Sequence, residues 1–439
     1  MIEGLNYNST DISEAVNGKM VGENVKIEAL TINSKEKASV SSCFFAINGK
    51  NYNGADYIEE AISNGARLIV TQEKIKCSVT TIYVDNAVKA LGQLAKKHKG
   101  STKVIAITGS NGKTTTKDMI ISVIKTSHSV CGTDKNLNNE IGVALSLLSI
   151  KDEEFCVVEM GMRGLGEIEW LSYIAEPSIG IITNCMSAHI GNLGSKKNIF
   201  KAKTEIIKYV KEYVVFPNEI RFRLLKCAGI KKIFAQTKML KRIKRTENSI
   251  IFDIKETKNI KINSIFKHDV NNALFAYTIG KLLKIDDELI KKGLSEFKKQ
   301  HSRGEIIKVN SHLIVNDCYN ASYESTKLAI ISIKQQFKNK KIAVLLGDML
   351  ELGEKSKKMH RKIGSLCKKL KIDKFFAYGN YAKFYLKGFC GGIEISDFDE
   401  IYKTVFSKID DTYVLLVKAS NSMNFEKIIK LMRDKNDKY

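Results

Sequence analysis

Short continuous apolar runs alternate along the chain with stretches whose apolar positions recur every three to four residues. The first pattern marks strands buried on both faces, the second amphipathic helices. Residues 1–99 hold the strand candidates "CFFAING", "RLIVTQ" and "TIYVD" and end in a helix, "NAVKALGQLAKKHKG", stopped at Gly100. Residues 100–302 carry "KVIAIT", "FCVVEM" and "SIGIIT" between helical stretches. Residues 303–439 repeat the alternation with "HLIVND", "KIAVLLGD", "KFFAYG" and "TYVLLVK". Strands alternating with helices imply right-handed crossovers and mostly parallel sheets. The expectation is therefore an α/β protein of three domains, 1–99, 100–302 and 303–439, the last a smaller doubly wound unit.

Composition narrows the class. A chain of 439 residues with 44% hydrophobic residues is too long for one compact domain. Its nine cysteines are an odd number without a CxxC pair, which reads as buried thiols and not as a disulfide framework. No apolar run reaches the roughly 18 residues of a membrane span, and "MIEGLNYNSTDIS" lacks a basic start with an apolar core. A cytoplasmic protein without membrane insertion is expected. The formal charge of +23 favours polyanionic partners. Lysine is spread over every segment, however, and neither zinc-finger spacing nor an aromatic RNA-binding motif occurs. The one basic block, "KMLKRIKR" at 238–245, reads as solvated surface, so a phosphorylated substrate is expected and nucleic acid is not.

The chemistry concentrates in "VIAITGSNGKTTTKD" at 104–118. A strand ends at Thr108, the loop Gly109, Ser110, Asn111, Gly112 follows, and Lys113, Thr114 and Thr115 begin a helix. Exposed N–H groups at a helix start, approached closely through glycines, form an anion site. A lysine there reaches the β- and γ-phosphates and the next hydroxyl binds Mg²⁺. Ile107 stands where the full phosphate-loop pattern has its first glycine, leaving GxxGKT, and no NKxD motif reads guanine. Glu159 ends the strand "FCVVEM", and His189 follows "SIGIITN". At the carboxyl ends of one parallel sheet, a carboxylate and an imidazole are candidate Mg²⁺ ligands, although each alone is more often structural.

These segments, with "NLNNEIGVALSLL", "VVEMGMRGLGEIEWL", "ITNCMSAHIGNLGSKKNIFKAKTEI", "VNDCYNASYESTKLAI" and "LLGDMLELGEKSKKMH", resemble the ATP-dependent Mur ligases of peptidoglycan synthesis over about residues 30 to 430. The resemblance implies an N-terminal UDP-sugar domain, a central phosphate-loop ATPase domain and a C-terminal Rossmann-like domain that brings the amine. It implies substrates UDP-N-acetylmuramoyl-tripeptide and D-alanyl-D-alanine, with ATP and Mg²⁺, an acyl phosphate intermediate and a monomeric enzyme. By the same resemblance Lys113 neutralises the transferring phosphoryl group, and Thr114, Glu159, His189 and a carbamylated Lys203 hold Mg²⁺. Asn272 matches an adenine contact, Arg303 a γ-phosphate contact and Asp317 a ribose contact. Asn320 and Ser322 fall on the D-alanyl-D-alanine side, and Ser34 near the uridine.

The chain departs from the family pattern at several places. "NSK" at 33–35 replaces Asp-Ser-Arg, Ala55 a histidine, Asp269 the first asparagine of HNxxN, Tyr323 a proline, and "KASNSM" at 418–423 the usual Lys-Gly-Ser-Arg. Losing that arginine removes a bidentate donor. The departures gather in substrate and amine recognition and spare phosphoryl transfer. Alternatives are a sibling amino-acid-adding ligase, a folylpolyglutamate-type ligase, or a nucleotide-binding protein without catalysis. Contacts split between the central domain and Arg303 and Asp317 imply that the cleft closes before chemistry.

Overall fold

A computed structural model describes residues 1–434 apart from 135, 187–192, 218–219, 221–230, 236–238, 247, 256, 300–301 and 310. The expected α/β alternation forms three six-stranded sheets and a smaller antiparallel one. In the first sheet, strands Lys26–Thr31, Ser42–Phe45, Ala66–Thr71 and Thr80–Tyr83 run parallel. Ile2–Asn8 and Lys19–Val21 close its two edges antiparallel. The helix Ala87–His98 leaves this sheet, its start capped by the Asn86 side chain accepting from the Lys89 amide.

The central sheet is wholly parallel, in the order Lys231–Ala235, Tyr213–Pro217, Ile179–Ile182, Lys103–Thr108, Phe155–Glu159, Val130–Gly132. Strand Lys103–Thr108 sits in its interior between Ile179–Ile182 and Phe155–Glu159, so the loop after Thr108 and the end at Glu159 emerge side by side. Val104, Ile105, Ala106 and Ile107 are buried, which is why their run shows no alternation. One apolar cluster joins the first sheet, the helix Ala87–His98 and one face of the central sheet. The seam is also polar: His98 Nδ1 meets Tyr7 Oη at 3.0 Å and its Nε2 meets the Ile150 carbonyl at 2.8 Å. Lys96 pairs with Glu176 at 3.2 Å.

The other face of the central sheet packs on helices Lys113–Ile124 and Lys267–Leu282 and on an antiparallel sheet of Leu240–Arg245, Ile250–Ile254 and Thr257–Ile262. The basic block read as plain surface is therefore, over its described part, an edge strand with alternating exposure. The last sheet runs Glu305–Val309, His312–Asn316, Tyr413–Lys418, Lys341–Leu346, Lys374–Tyr378, Ile393–Ile395, with only the first pair antiparallel. It has an apolar cluster on each face.

The cysteine expectation needs correction. The eight described cysteines form no disulfide with one another, but of these Cys43, Cys156, Cys318 and Cys367 alone are buried; Cys77, Cys131 and Cys185 are half-buried and Cys390 is exposed. Cys390 ends the helix Ala382–Phe389 in a left-handed turn, where the chain meets solvent. No helix among the described residues is long and apolar enough to cross a membrane.

Candidate active site

The loop after Lys103–Thr108 is shaped by two glycines. Gly112 has φ 79°, and a Cβ there would lie 2.6 Å from Asn272 Oδ1; one at Gly109 would lie 1.8 Å from Thr183 Oγ1. The loop is stitched to the neighbouring strand end: Ser110 N–H donates to the Asn184 carbonyl at 3.1 Å. Thr183 Oγ1 and Asn184 Nδ2 both donate to the Asn111 carbonyl, at 2.7 and 2.8 Å. Its shape is thus fixed by the fold, and Gly112, Lys113, Thr114 and Thr115 at the start of helix Lys113–Ile124 line the cleft.

Lys113 folds back to donate to the Gly109 carbonyl at 3.0 Å and stands 4.0 Å from Glu159. Burial lowers its ammonium below the ordinary lysine range, a shift that Glu159 opposes and Arg303 adds to. Thr114 Oγ1 donates to Glu159 Oε2 at 2.6 Å and accepts from Arg303 Nη2 at 2.9 Å. Asn138 Nδ2 donates to the other carboxylate oxygen at 2.8 Å. Burial pushes the Glu159 carboxyl up, but the Lys113 charge, the bonds from Thr114 and Asn138 and the Arg303 charge together hold it below its ordinary value. It is an anion at neutral pH.

Arg303 crosses from the C-terminal part with its guanidinium 3.6 Å above the Tyr319 ring, and its buried Nε has no hydrogen-bond partner among the described residues. Asp317 is held by Lys418 Nζ at 2.7 Å, and the same amine donates to the Asn320 carbonyl at 2.8 Å. Ser322 caps helix Tyr323–Gln336 and donates to Asn111 Oδ1 at 3.3 Å, directly on the phosphate loop. Lys203, in helix Lys196–Thr204, is 1% exposed, and burial, with the Lys113 charge, lowers its pKa to about 7. All these residues except Lys203 line or adjoin one cleft of about 720 Å³, whose walls run from Val88 through Thr115 and Asn272 to Asn320 and Lys418. Among the described residues no cluster of three or more His, Cys, Asp or Glu could hold a metal ion.

Three family models match in order: "Mur ligase family, catalytic domain" at 26–99, "Mur ligase middle domain" at 107–280 and "Mur ligase, glutamate ligase domain" at 302–421. A UDP-N-acetylmuramoyl-tripeptide--D-alanyl-D-alanine ligase of Bacillus subtilis is 34% identical, over 96% of this chain and 97% of that protein. The chain belongs to the Mur ligase family. The enzyme of the same name from Haemophilus influenzae is 29% identical over 98% of this chain and 99% of its own length. Among solved structures, MurF from Acinetobacter baumannii superposes with a TM-score of 0.91 at 25% identity, covering 99% of this chain and 100% of that one. MurF ligase from Thermotoga maritima in complex with ADP gives 0.85 at 28% identity, covering 93% and 98%.

Of the residues expected for a Mur ligase site, the structure gathers Gly109, Ser110, Asn111, Gly112, Lys113, Thr114, Thr115, Glu159, Asn272, Arg303, Asp317, Asn320 and Ser322 around the cleft. Ser34 stands apart from it: its hydroxyl bonds Glu60 and its carbonyl accepts from Asn64 Nδ2 at 2.7 Å. His189 lies outside the described residues. Sequence reasoning missed Asn138, which orients Glu159; Tyr319, which supports Arg303; and Lys418, which ties two cleft loops. "NLNNEIG", "VNDCYNAS" and "KASNSM" had marked all three positions without giving them roles.

Proposed function

We propose that this Mur ligase joins the terminal carboxylate of UDP-N-acetylmuramoyl-tripeptide to the amine of D-alanyl-D-alanine at the expense of ATP, giving the muramoyl-pentapeptide precursor of peptidoglycan. The reading rests on the likeness to ligases of that name along nearly the whole chain. The geometric observation that carries it is the Thr114 hydroxyl, gripped by Glu159 from its own sheet and by Arg303 from across the cleft. That is the arrangement phosphoryl transfer needs, with cations on both sides of the transferring group and a fixed anion behind it.

The ATP triphosphate lies on the loop amides, with Lys113 and Arg303 balancing the β- and γ-oxygens, Asn272 at the adenine and Asp317 at the ribose. A carboxylate oxygen of the tripeptide attacks the γ-phosphorus and the bond to ADP breaks. The amine of the dipeptide, on the Asn320 and Ser322 side, attacks the acyl carbon of the resulting acyl phosphate. Phosphate leaves and the amine loses its proton. Arg303 and the loop walls exclude water that would hydrolyse the intermediate.

Thr114 and Glu159 present hard oxygen donors 2.6 Å apart, which fits Mg²⁺, a cation that completes its shell with phosphate oxygens and waters. Held there, Mg²⁺ would neutralise charge on the transferring phosphoryl group. Lys203 and His189 complete the proposed ligand set. A buried amine whose pKa is about 7 is largely neutral under mildly basic conditions, the form that takes up CO₂ as a carbamate. Residues 1–99 would hold the UDP-sugar, with Ser34 on that side, 100–302 the ATP and 303–439 the amine. The reaction is placed in the cytoplasm, with the chain as a monomer.

The test is phosphate release by purified protein with ATP, Mg²⁺ and UDP-N-acetylmuramoyl-tripeptide, using lysine- and diaminopimelate-containing forms separately. The expected result is release that requires D-alanyl-D-alanine, with a UDP-pentapeptide product by mass. Release stimulated by glutamate instead, or by no amine, overturns the proposal.

A further inference from the structure

Among the described residues, five lysines and arginines line the cleft, and four of them are engaged by the protein itself. Lys113 donates to the Gly109 carbonyl and Arg303 to Thr114, while Lys299 pairs with Asp269 and Lys418 with Asp317. The fifth, Arg163, is exposed, and its guanidinium has no hydrogen-bond or ion-pair partner among the described residues. The segment that presents it is nevertheless fixed. Gly161 N–H donates to the Asn138 carbonyl at 2.8 Å, Arg163 N–H to Glu167 Oε2 at 2.8 Å, and Gly166 N–H to both Glu205 oxygens at 3.0 Å. A cation carried on an ordered loop has much of its ordering cost met before a ligand arrives. Glu167 lines the cleft beside it, so this stretch of wall holds a guanidinium and a carboxylate that are not paired with each other.

The position of this wall narrows what it can bind. Thr114 and Glu159 mark where the carboxylate to be phosphorylated meets ATP, and Arg163 follows Glu159 by four residues, a span of at most about 14 Å. Helix Glu167–Ala175 packs on helix Ala87–His98, close enough that a Cβ at Gly92 would lie 3.0 Å from Trp170 Cζ2. The wall therefore adjoins both the phosphorylation point and the part proposed to hold the UDP-sugar, where the side chain of the third peptide residue falls. Lysine at that position ends in an ammonium alone. Diaminopimelate is the same chain with a carboxylate added beside the terminal ammonium. A guanidinium next to a carboxylate complements that zwitterion, and the planar guanidinium can take the added group through two parallel bonds. We infer that Arg163 selects the diaminopimelate form of the tripeptide over the lysine form by binding the carboxylate at the end of its side chain, with Glu167 receiving the ammonium that both forms share.

The inference rests on the ligase reading above, and the assay separates the two. Pentapeptide formation from each tripeptide is followed at saturating ATP and D-alanyl-D-alanine for the full chain and for Arg163→Met, Arg163→Lys and Glu167→Gln. The unaltered protein is expected to favour the diaminopimelate form by about tenfold to a hundredfold in kcat/KM, the fold-change of one charge-assisted contact. Methionine keeps the apolar reach without the charge, so in Arg163→Met the preference falls below about threefold, whereas Arg163→Lys retains part of it as a point charge. In Glu167→Gln the amide oxygen still accepts the Arg163 N–H, and kcat/KM falls by the same factor for both forms, leaving the ratio intact. A general loss of stability lowers both rates and does not move the ratio. Titration calorimetry with the two tripeptides in the absence of ATP repeats the comparison apart from turnover.

A lysine preference or no preference in the unaltered protein, or an undiminished diaminopimelate preference in Arg163→Met, overturns the inference and leaves the ligase reading standing. Equal weakening of both tripeptides in Arg163→Met overturns it as well, because the guanidinium then binds a group that the two have in common. Pentapeptide from neither tripeptide overturns the ligase reading itself.

Discussion

Replacing His360 with glutamine and acidifying both proteins isolates one titration in the C-terminal part. His360 is fully buried. Its Nδ1 donates to the Ser356 carbonyl at 2.7 Å and its Nε2 accepts from the Met349 amide at 3.0 Å, so the ring is held neutral by its partners. Burial lowers its pKa from 6.5 to about 4, with the Ser356 bond opposing the shift. Asp348 lies 3.9 Å away; burial pushes its carboxyl up, and the bonds from the Tyr381 and Asn380 amides oppose that shift. Since the folded pKa is the lower one, the unfolded chain binds the extra proton between pH 6.5 and about 4. Stability attached to this group is therefore intact above pH 6.5 and is lost as the pH falls through that window. By pH 4.5 the loss amounts to about 2.5 kcal/mol, from pKa values of 6.5 unfolded and about 4 folded. Glutamine can accept the Met349 N–H through its side-chain oxygen but does not titrate. Urea unfolding followed by circular dichroism at pH 7.5 and 4.5 should show the His360→Gln protein losing about 2.5 kcal/mol less than the parent over that span, whatever it loses at pH 7.5. Equal losses in the two proteins would show that the imidazole does not carry this part of the acid sensitivity. The consequence reaches the cleft, because Met349 precedes Leu350, Glu351 and Leu352 in its wall.

Lys203→Met should abolish ligation. In the parent, the activity restored by bicarbonate to CO₂-depleted enzyme should rise from pH 6 to pH 8, because the neutral amine gains on the ammonium through its pKa of about 7; full turnover by the variant would refute this role. Gly112→Ala forces a side chain into a left-handed backbone and against Asn272, so KM for ATP should rise and stability fall by about 1–2 kcal/mol. An unaltered KM would mean that the loop tolerates a different path. Ser322→Ala removes a helix cap and the bond to Asn111, and should cost about 1 kcal/mol in thermal unfolding. KM for the dipeptide should rise more than KM for ATP; the reverse would move Ser322 off the amine side.

The parallel strands were legible because burial on both faces leaves continuous apolar runs such as "KVIAIT" and "TYVLLVK". The antiparallel sheet was not: Leu240–Arg245 carries only two apolar residues among four cations, and a half-exposed edge strand with that content looks like basic surface. The phosphate loop could be read because its glycines and Lys-Thr pair are local in sequence. Contacts that depend on strand register could not, as with Asn138 and Glu159, which meet only through the fold. The Asp269–Lys299 pair was visible as a departure at 269, but its partner thirty positions on carried no local signal. Ser34, which the motif match places near the uridine, is bonded to Glu60 away from the phosphate-loop cleft, in the part proposed to hold the UDP-sugar.

The single apolar cluster that runs from Leu5 through the helix Ala87–His98 to Phe216 has a mechanical consequence. A rotation between the first two sheets would tear a continuous core, exposing apolar surface at about 25 cal/mol for each Å². The last sheet, by contrast, encloses its own two clusters and, among the described residues, borrows Ile265 and Phe266 from the preceding part. The first two sheets thus share one core and the last sheet has its own, joined to them through the segment before Glu305. There Ser302 has φ 65°, and Gly304 has φ 79° at a point where a Cβ would lie 1.8 Å from Phe266 Cε2. Arg303 sits in that joining segment, so any turn of the last sheet about it would also shift the guanidinium on Thr114.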